Sequence, residues 1–174
     1  MSKIELPLTT ESRKELKAGD LVELSGVIYT ARDRAHKRLV RMIESGEGLP
    51  FDLQDQTIYY VGPAPARPGE VVGSIGPTTS SRMDPFTPAI LKAGVKGMIG
   101  KGNRSEEVIK AIKRHRAIYF VATGGAAVYL SQFVIKMELV AWQELGPEAI
   151  HRLTVADLPL VVAIDSDGNN VFDR

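Results

Sequence analysis

Residues 76–104 read GPTTSSRMDPFTPAILKAGVKGMIGKGNR, and the rest of the chain is best read outward from them. The stretch opens on a Gly76-Pro77 turn and two threonines, Thr78 and Thr79, followed by Arg82 and Asp84. It closes on a second glycine turn, Gly100-Lys101-Gly102-Asn103-Arg104. A short apolar run feeds each turn, at residues 71–75 and 95–99, and a helix-like run follows each, at residues 86–93 and 105–115. Strand, loop and helix in that order place backbone N–H groups and cationic side chains where they can converge on an anion.

Toward the N-terminus, residues 4–8 predict a short strand and Gly19-Asp20 a turn. Residues 21–29 predict a longer strand in which Gly26 marks a bulge. Asp33 is placed as the N-cap of a helix on which Ala35, Leu39, Met42 and Ile43 recur at helical spacing, and Gly46 stops it. The run Arg34, His36, Lys37, Arg38 and Arg41 is read as mostly its solvated side. Arg32 differs, because it falls at a strand-to-helix junction, where side chains face a crevice. Residues 57–61 predict a strand, followed by a proline-stiffened loop over 62–69.

Toward the C-terminus, Ser105 caps a helix with Glu106 and Glu107 in its first turn and Lys110, Lys113 and Arg114 near its end. Residues 118–122 predict a strand ending in Thr123-Gly124-Gly125, with a small-residue helix over 126–132. A strand at 134–142, a short helix at 147–153, a strand at 160–165 and a turn at 166–169 follow, before a last strand at 171–172. The alternation predicts an α/β fold with a mixed sheet flanked by helices, as one domain over residues 1–174.

Composition removes several classes of function. The net charge of +1 supplies no basic field for nucleic acid, and aromatics at 6% supply no base-stacking surface. There is no cysteine, so the chain carries no disulfide, no cysteine nucleophile and no iron–sulfur ligand of its own. His36, His115 and His151 lack metal-ligand spacing. No run approaches the roughly 20 apolar residues of a membrane span, and the N-terminus does not read as a signal peptide. The cytoplasm is the expected compartment.

The cations carry the chemistry. Arg32, Arg82, Lys101 and Arg104 fall at loop or strand-end positions, and loops from different strands of one α/β sheet converge at one edge. An arginine fork grips a carboxylate bidentately and a lysine adds a point charge, so a small dicarboxylate needs about two such anchors. Solvated surface charge is the plainer reading of any one of them. Thr78 could bond a substrate or move a proton, but its hydroxyl is weakly acidic and needs an activating neighbour such as Lys101 or a group from another chain. GKGNRS and TGGAA resemble phosphate cradles without matching G-x-x-x-x-G-K-[ST] or G-x-G-x-x-G. His36, one turn into the first helix, is read as orienting a carboxylate or lying at the surface. The Tyr59-Tyr60 pair and Trp142 are read as core or interface.

Taken together, TARDRAHKR, GPTTSSRMD, KGNRS, TGGAA and DLPLVVAIDSDGNNVF resemble the C-terminal domain, or separate β subunit, of class I fumarate hydratases. L(+)-tartrate dehydratase belongs to the same family. The likeness runs from about residue 21 to residue 172, with the blocks in family order. It implies a swivelling β/β/α domain whose active site lies against a second, α part. It further implies a [4Fe–4S] cluster on that α part, with an open iron acting as Lewis acid. By motif position, Arg32, Arg82 and Lys101 resemble the substrate-carboxylate contacts, Thr78 and Lys101 the catalytic pair, and His36 and Arg104 supporting residues. The chain departs from the family at Ser80-Ser81, where alanine-glycine is common.

The resemblance therefore implies the β subunit of a two-subunit hydro-lyase that hydrates fumarate reversibly to L-malate. An α subunit would hold the cluster, in a hetero-oligomer such as α2β2. Dehydration of L(+)-tartrate is the alternative within the class. A non-catalytic module binding a small anionic metabolite is the alternative outside it.

Overall fold

The computed structural model describes residues 1–122 and 126–173. The chain runs β1 (Ser2–Glu5), α1 (Thr10–Glu15), β2 (Leu21–Thr30), α2 (Asp33–Ser45), β3 (Thr57–Tyr59), α3 (Thr87–Lys92), β4 (Gly97–Gly100) and α4 (Glu106–His115). It continues through β5 (Ile118–Val121), α5 (Ala127–Ser131), β6 (Val134–Ala141) and β7 (Ile150–Ile164). Three 3₁₀ turns lie at Ser80–Met83, Gln143–Glu148 and Val171–Asp173. The strands form one mixed sheet in the order β1-β2-β3-β4-β5-β7-β6, and β2 also pairs with β7. That extra pairing closes β2, β3, β4, β5 and β7 into a ring. Strands β2 to β5 are parallel neighbours, and β7 runs antiparallel to β2 and β5.

Period-2 alternation divides the core. Ile58, Met98 and Tyr119 face the helices and pack with Leu39, Ile90, Leu91 and Ile112. Tyr59, Ile99 and Phe120 face the other way, into a cluster with Leu24, Ile28, Leu153, Leu158 and Val162. The short parallel strands are therefore apolar on both faces, as parallel strands covered on both sides must be. Helices α2, α3 and α4 cover one face with amphipathic stripes. Ser105 caps α4 by accepting the Val108 N–H at 3.3 Å, and Gly46 ends α2 in the left-handed region at φ 71°.

Several elements differ from the sequence reading. Helix α1 was not expected; Thr9 and Ser12 form a reciprocal capping box at its start. Strand β1 covers Ser2–Glu5 rather than 4–8. Arg32, not Asp33, occupies the cap position of α2, without a capping side-chain hydrogen bond. Residues 71–75 form no strand: the Gly73 N–H donates to Ala64 in a loop and the Ile75 N–H to Ala127 at the start of α5, so no strand pairs with them. The expected helix at 147–153 is instead the end of a 3₁₀ turn and the start of β7, whose 15 residues absorb the strand predicted at 160–165. The final segment is a 3₁₀ turn rather than a strand. The Thr123-Gly124-Gly125 turn lies outside the described residues.

Candidate active site

The residues singled out by sequence assemble at one place, the edge where β2, β3, β4 and β5 end. Arg32 follows β2. Residues 60–62 follow β3. Lys101 follows β4. Hydrogen bonds continue the parallel ladder past the strand ends: Ala31 N–H to the Tyr59 carbonyl at 3.1 Å, Tyr60 N–H to Ile99 at 2.8 Å, and Ala122 N–H to Gly100 at 3.0 Å. Residues 76–84 are laid across this edge. Thr78 N–H donates to the Tyr60 carbonyl at 2.7 Å and Ser80 N–H to the Lys101 carbonyl at 2.9 Å. Thr79 and Lys101 form an isolated parallel bridge. The loop is held by its backbone, which leaves the Thr78 and Lys101 side chains free of the task.

Arg32 crosses Gly62. A Cβ at residue 62 would lie 3.3 Å from Arg32 Cδ and Nη1 and 3.2 Å from the Pro147 carbonyl, so the glycine leaves the channel in which the arginine lies. Arg82 is 53% exposed and pairs with Asp33 at the first turn of α2. Among the described residues, neither Arg32 nor Lys101 pairs with a carboxylate.

Arg104 has a different role from the other three. Its side chain is 0% exposed, and Nε donates to Asp84 Oδ1 at 2.7 Å. Nη2 donates to Thr87 Oγ1 at 2.8 Å and to Tyr60 Oη at 3.2 Å. The guanidinium stacks over the rings of Tyr119 and Tyr60, 4.8 and 5.2 Å from their centroids. Asp84 Oδ2 accepts the Ser105 N–H at 2.8 Å. Burial works against this charge, but Tyr60, Asp84 and Tyr119 outweigh it and the guanidinium stays ionised. Arg104 is thus not a fourth anion anchor. It bolts the 76–84 loop to the 100–105 loop.

A second brace lies alongside. Tyr119 Oη is 2.7 Å from the Gly102 carbonyl and 2.7 Å from Ser80 Oγ. A phenol has one proton, which goes to the carbonyl, so Ser80 donates to the phenol oxygen. A Cβ on Gly100 would sit 1.9 Å from Ser80 Oγ. Ser80 is therefore buried and bonded.

His36 is wholly buried in the first turns of α2. Its Nδ1 lies 2.9 Å from the Arg32 carbonyl and must donate to it, leaving Nε2 a buried lone pair without a partner. Burial lowers its pKa to about 4; the Arg32 carbonyl opposes this, Arg104 adds to it, and Asp33 opposes it. His36 is neutral at pH 7, packed between the rings of Tyr60 and Phe86. It fixes the backbone from which Arg32 projects.

Sequence reasoning missed Gly62, Tyr119 and the bracing role of Asp84. The signal for Asp84 was present, since a lone carboxylate among loop cations invites a partner. Nothing local marks Tyr119, whose alternation in β5 reads as core.

Among the described residues no cluster of three or more His, Cys, Asp or Glu side chains could hold a metal, and the chain has no cysteine. A [4Fe–4S] cluster does not fit the donors of this chain. No helix among the described residues is long and apolar enough to cross a membrane.

Fold and edge together define the class: an α/β domain presenting cationic loops and a threonine at the carboxyl ends of adjacent parallel strands. The chain belongs to the family described as Fumarase C-terminus, which matches over residues 1–174. It is 41% identical over 173 residues to the putative L(+)-tartrate dehydratase subunit beta of Methanocaldococcus jannaschii, covering 96% of this chain and 89% of that one. It is 41% identical over 155 residues to the aerobic class I fumarate hydratase of Escherichia coli K12, covering 88% of this chain and 28% of that protein. With the mitochondrial fumarate hydratase 1 of Leishmania major it shares 39% over 155 residues, covering 88% of this chain and 28% of that protein. The chain thus corresponds to nearly all of a β subunit and to under a third of each fumarate hydratase.

Proposed function

We propose that this chain is the β subunit of a two-subunit hydro-lyase that reversibly hydrates fumarate to L-malate. The observation that carries the reading is the placement of Arg32, Thr78, Arg82 and Lys101 on loops that meet at one sheet edge, in the family's order. Arg32 and Arg82 would take the substrate carboxylates, with Lys101 as a third positive contact. Fumarate is a rigid dianion with a carboxylate at each end, and cations arriving from separate strands suit that shape better than a single cluster would.

Thr78 would take part in proton transfer at the substrate carbon. It is half-buried and its backbone N–H is committed to Tyr60, so its hydroxyl is aimed by the loop and not by its own hydrogen bond. Lys101, whose backbone bridges Thr79 next to Thr78, is a cationic candidate to favour the alkoxide form. The [4Fe–4S] cluster would lie on an α subunit; where bound, it supplies Lewis acidity at the substrate hydroxyl. This domain would supply charge complementarity and substrate orientation.

Dehydration of L(+)-tartrate is the second reading, favoured by the name of the Methanocaldococcus relative, of which this chain covers 89%. The same clamp serves, with one more hydroxyl to place.

The test is anaerobic co-expression with the cysteine-bearing partner and turnover of fumarate, L-malate and L(+)-tartrate. Turnover of fumarate and malate supports the first reading, and of tartrate alone the second. Turnover of no diacid by a cluster-loaded complex refutes both.

A further inference from the structure

The opposite edge of the sheet holds a second cationic site. A cavity of about 350 Å3 is lined there by Arg13 and Lys14 of α1, Lys17 beyond it, Arg116 ahead of β5, and Ser166 and Asp167 after β7. Because β7 is antiparallel to β2 and β5, its C-terminal end meets their N-terminal ends. The cavity is therefore at the far end of the parallel strands from Arg32, Thr78 and Lys101.

Its charge is not balanced. Asp167 is shared by two of the cations, with Oδ1 2.7 Å from Arg116 Nη1 and Oδ2 3.4 Å from Lys17 Nζ. Among the described residues, Arg13 and Lys14 have no ion-pair partner. Arg13 is only 8% exposed. Its Nη1 donates to the Leu8 carbonyl at 3.1 Å and its Nη2 to Thr10 Oγ1 at 3.4 Å, while Nε is buried without an acceptor. A guanidinium does not shed its proton, so the charge must be balanced or its burial is costly.

The neighbouring carboxylate, Asp165, forms no ion pair with Arg13. Its oxygens accept from the N–H groups of Ala18, Asp167 and Asn169 and from the Asn169 side-chain amide. The uncompensated field reaches Lys96, ahead of β4. Burial first and the Arg13 charge second hold its pKa below the usual lysine range, with Asp55 opposing.

We propose that this cavity binds a small phosphate-class oxyanion, either free phosphate or the phosphate group of a small metabolite. Arginine and lysine donors arrive from two chain segments, residues 13–17 and Arg116, on facing sides of a roomy cavity, so they can grip a tetrahedral dianion between them. Lysine ammonium groups serve such an anion as point charges. Occupation would add a shared anion between α1 and the turn before β5, whose cations Asp167 alone now bridges through Lys17 and Arg116.

The test is thermal unfolding of the full chain in inorganic phosphate against chloride of equal ionic strength. At about ten times the Kd, phosphate should raise the melting midpoint by about 3–5 °C over chloride. The rise should vanish in Lys14→Gln/Lys17→Gln, both exposed positions, and persist in Arg82→Met. Backbone amide shifts on titration should centre on residues 13–18, 116 and 165–167. A small phosphate ester that shifts the same amides more tightly than phosphate assigns the metabolite source; equal or weaker binding assigns free phosphate. The proposal falls if phosphate gives no rise over chloride, if the double variant shows the same rise, or if succinate shifts the amides of residues 13–18 and 116 as phosphate does.

Discussion

His36 offers a sharp test of how the candidate active edge is built. Its pKa is about 4 in the fold, against 6.5 for a free histidine. Between those values the unfolded chain binds a proton that the folded chain refuses. The His36 contribution is therefore intact above pH 6.5 and lost as pH falls from 6.5 to 4. The full penalty is about 3 kcal/mol, of which about 2 kcal/mol has accrued by pH 5. The comparison is with His36→Asn, whose amide can still donate to the Arg32 carbonyl within the same turn but does not titrate. Urea unfolding at pH 7.5 and pH 5.0 should show wild type losing about 2 kcal/mol more than the variant between the two conditions. His115 and His151 titrate in both proteins and cancel. Parallel pH profiles, or an imidazole NMR midpoint near 6.5, would refute the picture of a buried, neutral ring with Nδ1 donating to Arg32.

Other substitutions separate clamp from brace. Arg82→Met should leave the urea midpoint nearly unchanged, since the Arg82–Asp33 pair is exposed, and cut kcat/KM of the assembled enzyme by about 10–100-fold. Asp84→Asn should cost about 3–5 kcal/mol by chemical denaturation, because it leaves the Arg104 charge buried without its counter-ion; a loss under 1 kcal/mol would show that the tyrosines alone hold it. Gly100→Ala should destabilise strongly or prevent folding, with a Cβ 1.9 Å from the Ser80 oxygen, and Gly100→Ala with Ser80→Ala should recover part of the loss. Gly62→Ala displaces Arg32 by a few tenths of an ångström, so KM should rise while the melting temperature holds.

What sequence conveyed and what it withheld divide along physical lines. Short parallel strands buried on both faces appear as apolar runs, and β3, β4 and β5 were legible for that reason. Gly46 and Ser105 were legible as caps because a left-handed stop and a side-chain acceptor are local requirements. The bulge at Gly26 was legible too, and the β2–β7 register shifts there between Leu24 and Gly26. Only the second half of β7 was legible, because Asp157 at φ 55° and Pro159 interrupt its pattern where the strand bends across that same shift. The run at 71–75 shows the reverse error: it is apolar because Val72 and Ile75 are buried, although no strand pairs with it. At the site, Thr78, Arg82 and Lys101 stood out on the stretch bounded by glycine turns, and Arg32 at a strand-to-helix junction. The task of Arg104 could not be read, since its partners Asp84, Tyr60, Thr87 and Tyr119 lie on four different segments.

The pairing of Arg82 with Asp33 places a carboxylate of the chain itself against a residue assigned to hold a carboxylate of the substrate. Asp33 keeps the guanidinium oriented. On the proposed function, substrate entry would be an exchange of one carboxylate for another, and only the difference between the two partners would appear as affinity. Singly charged acids would gain little from that exchange, because they would have to displace Asp33 with no second carboxylate for Arg32 to grip. Discrimination in favour of diacids would thus begin with an acid that never leaves the protein.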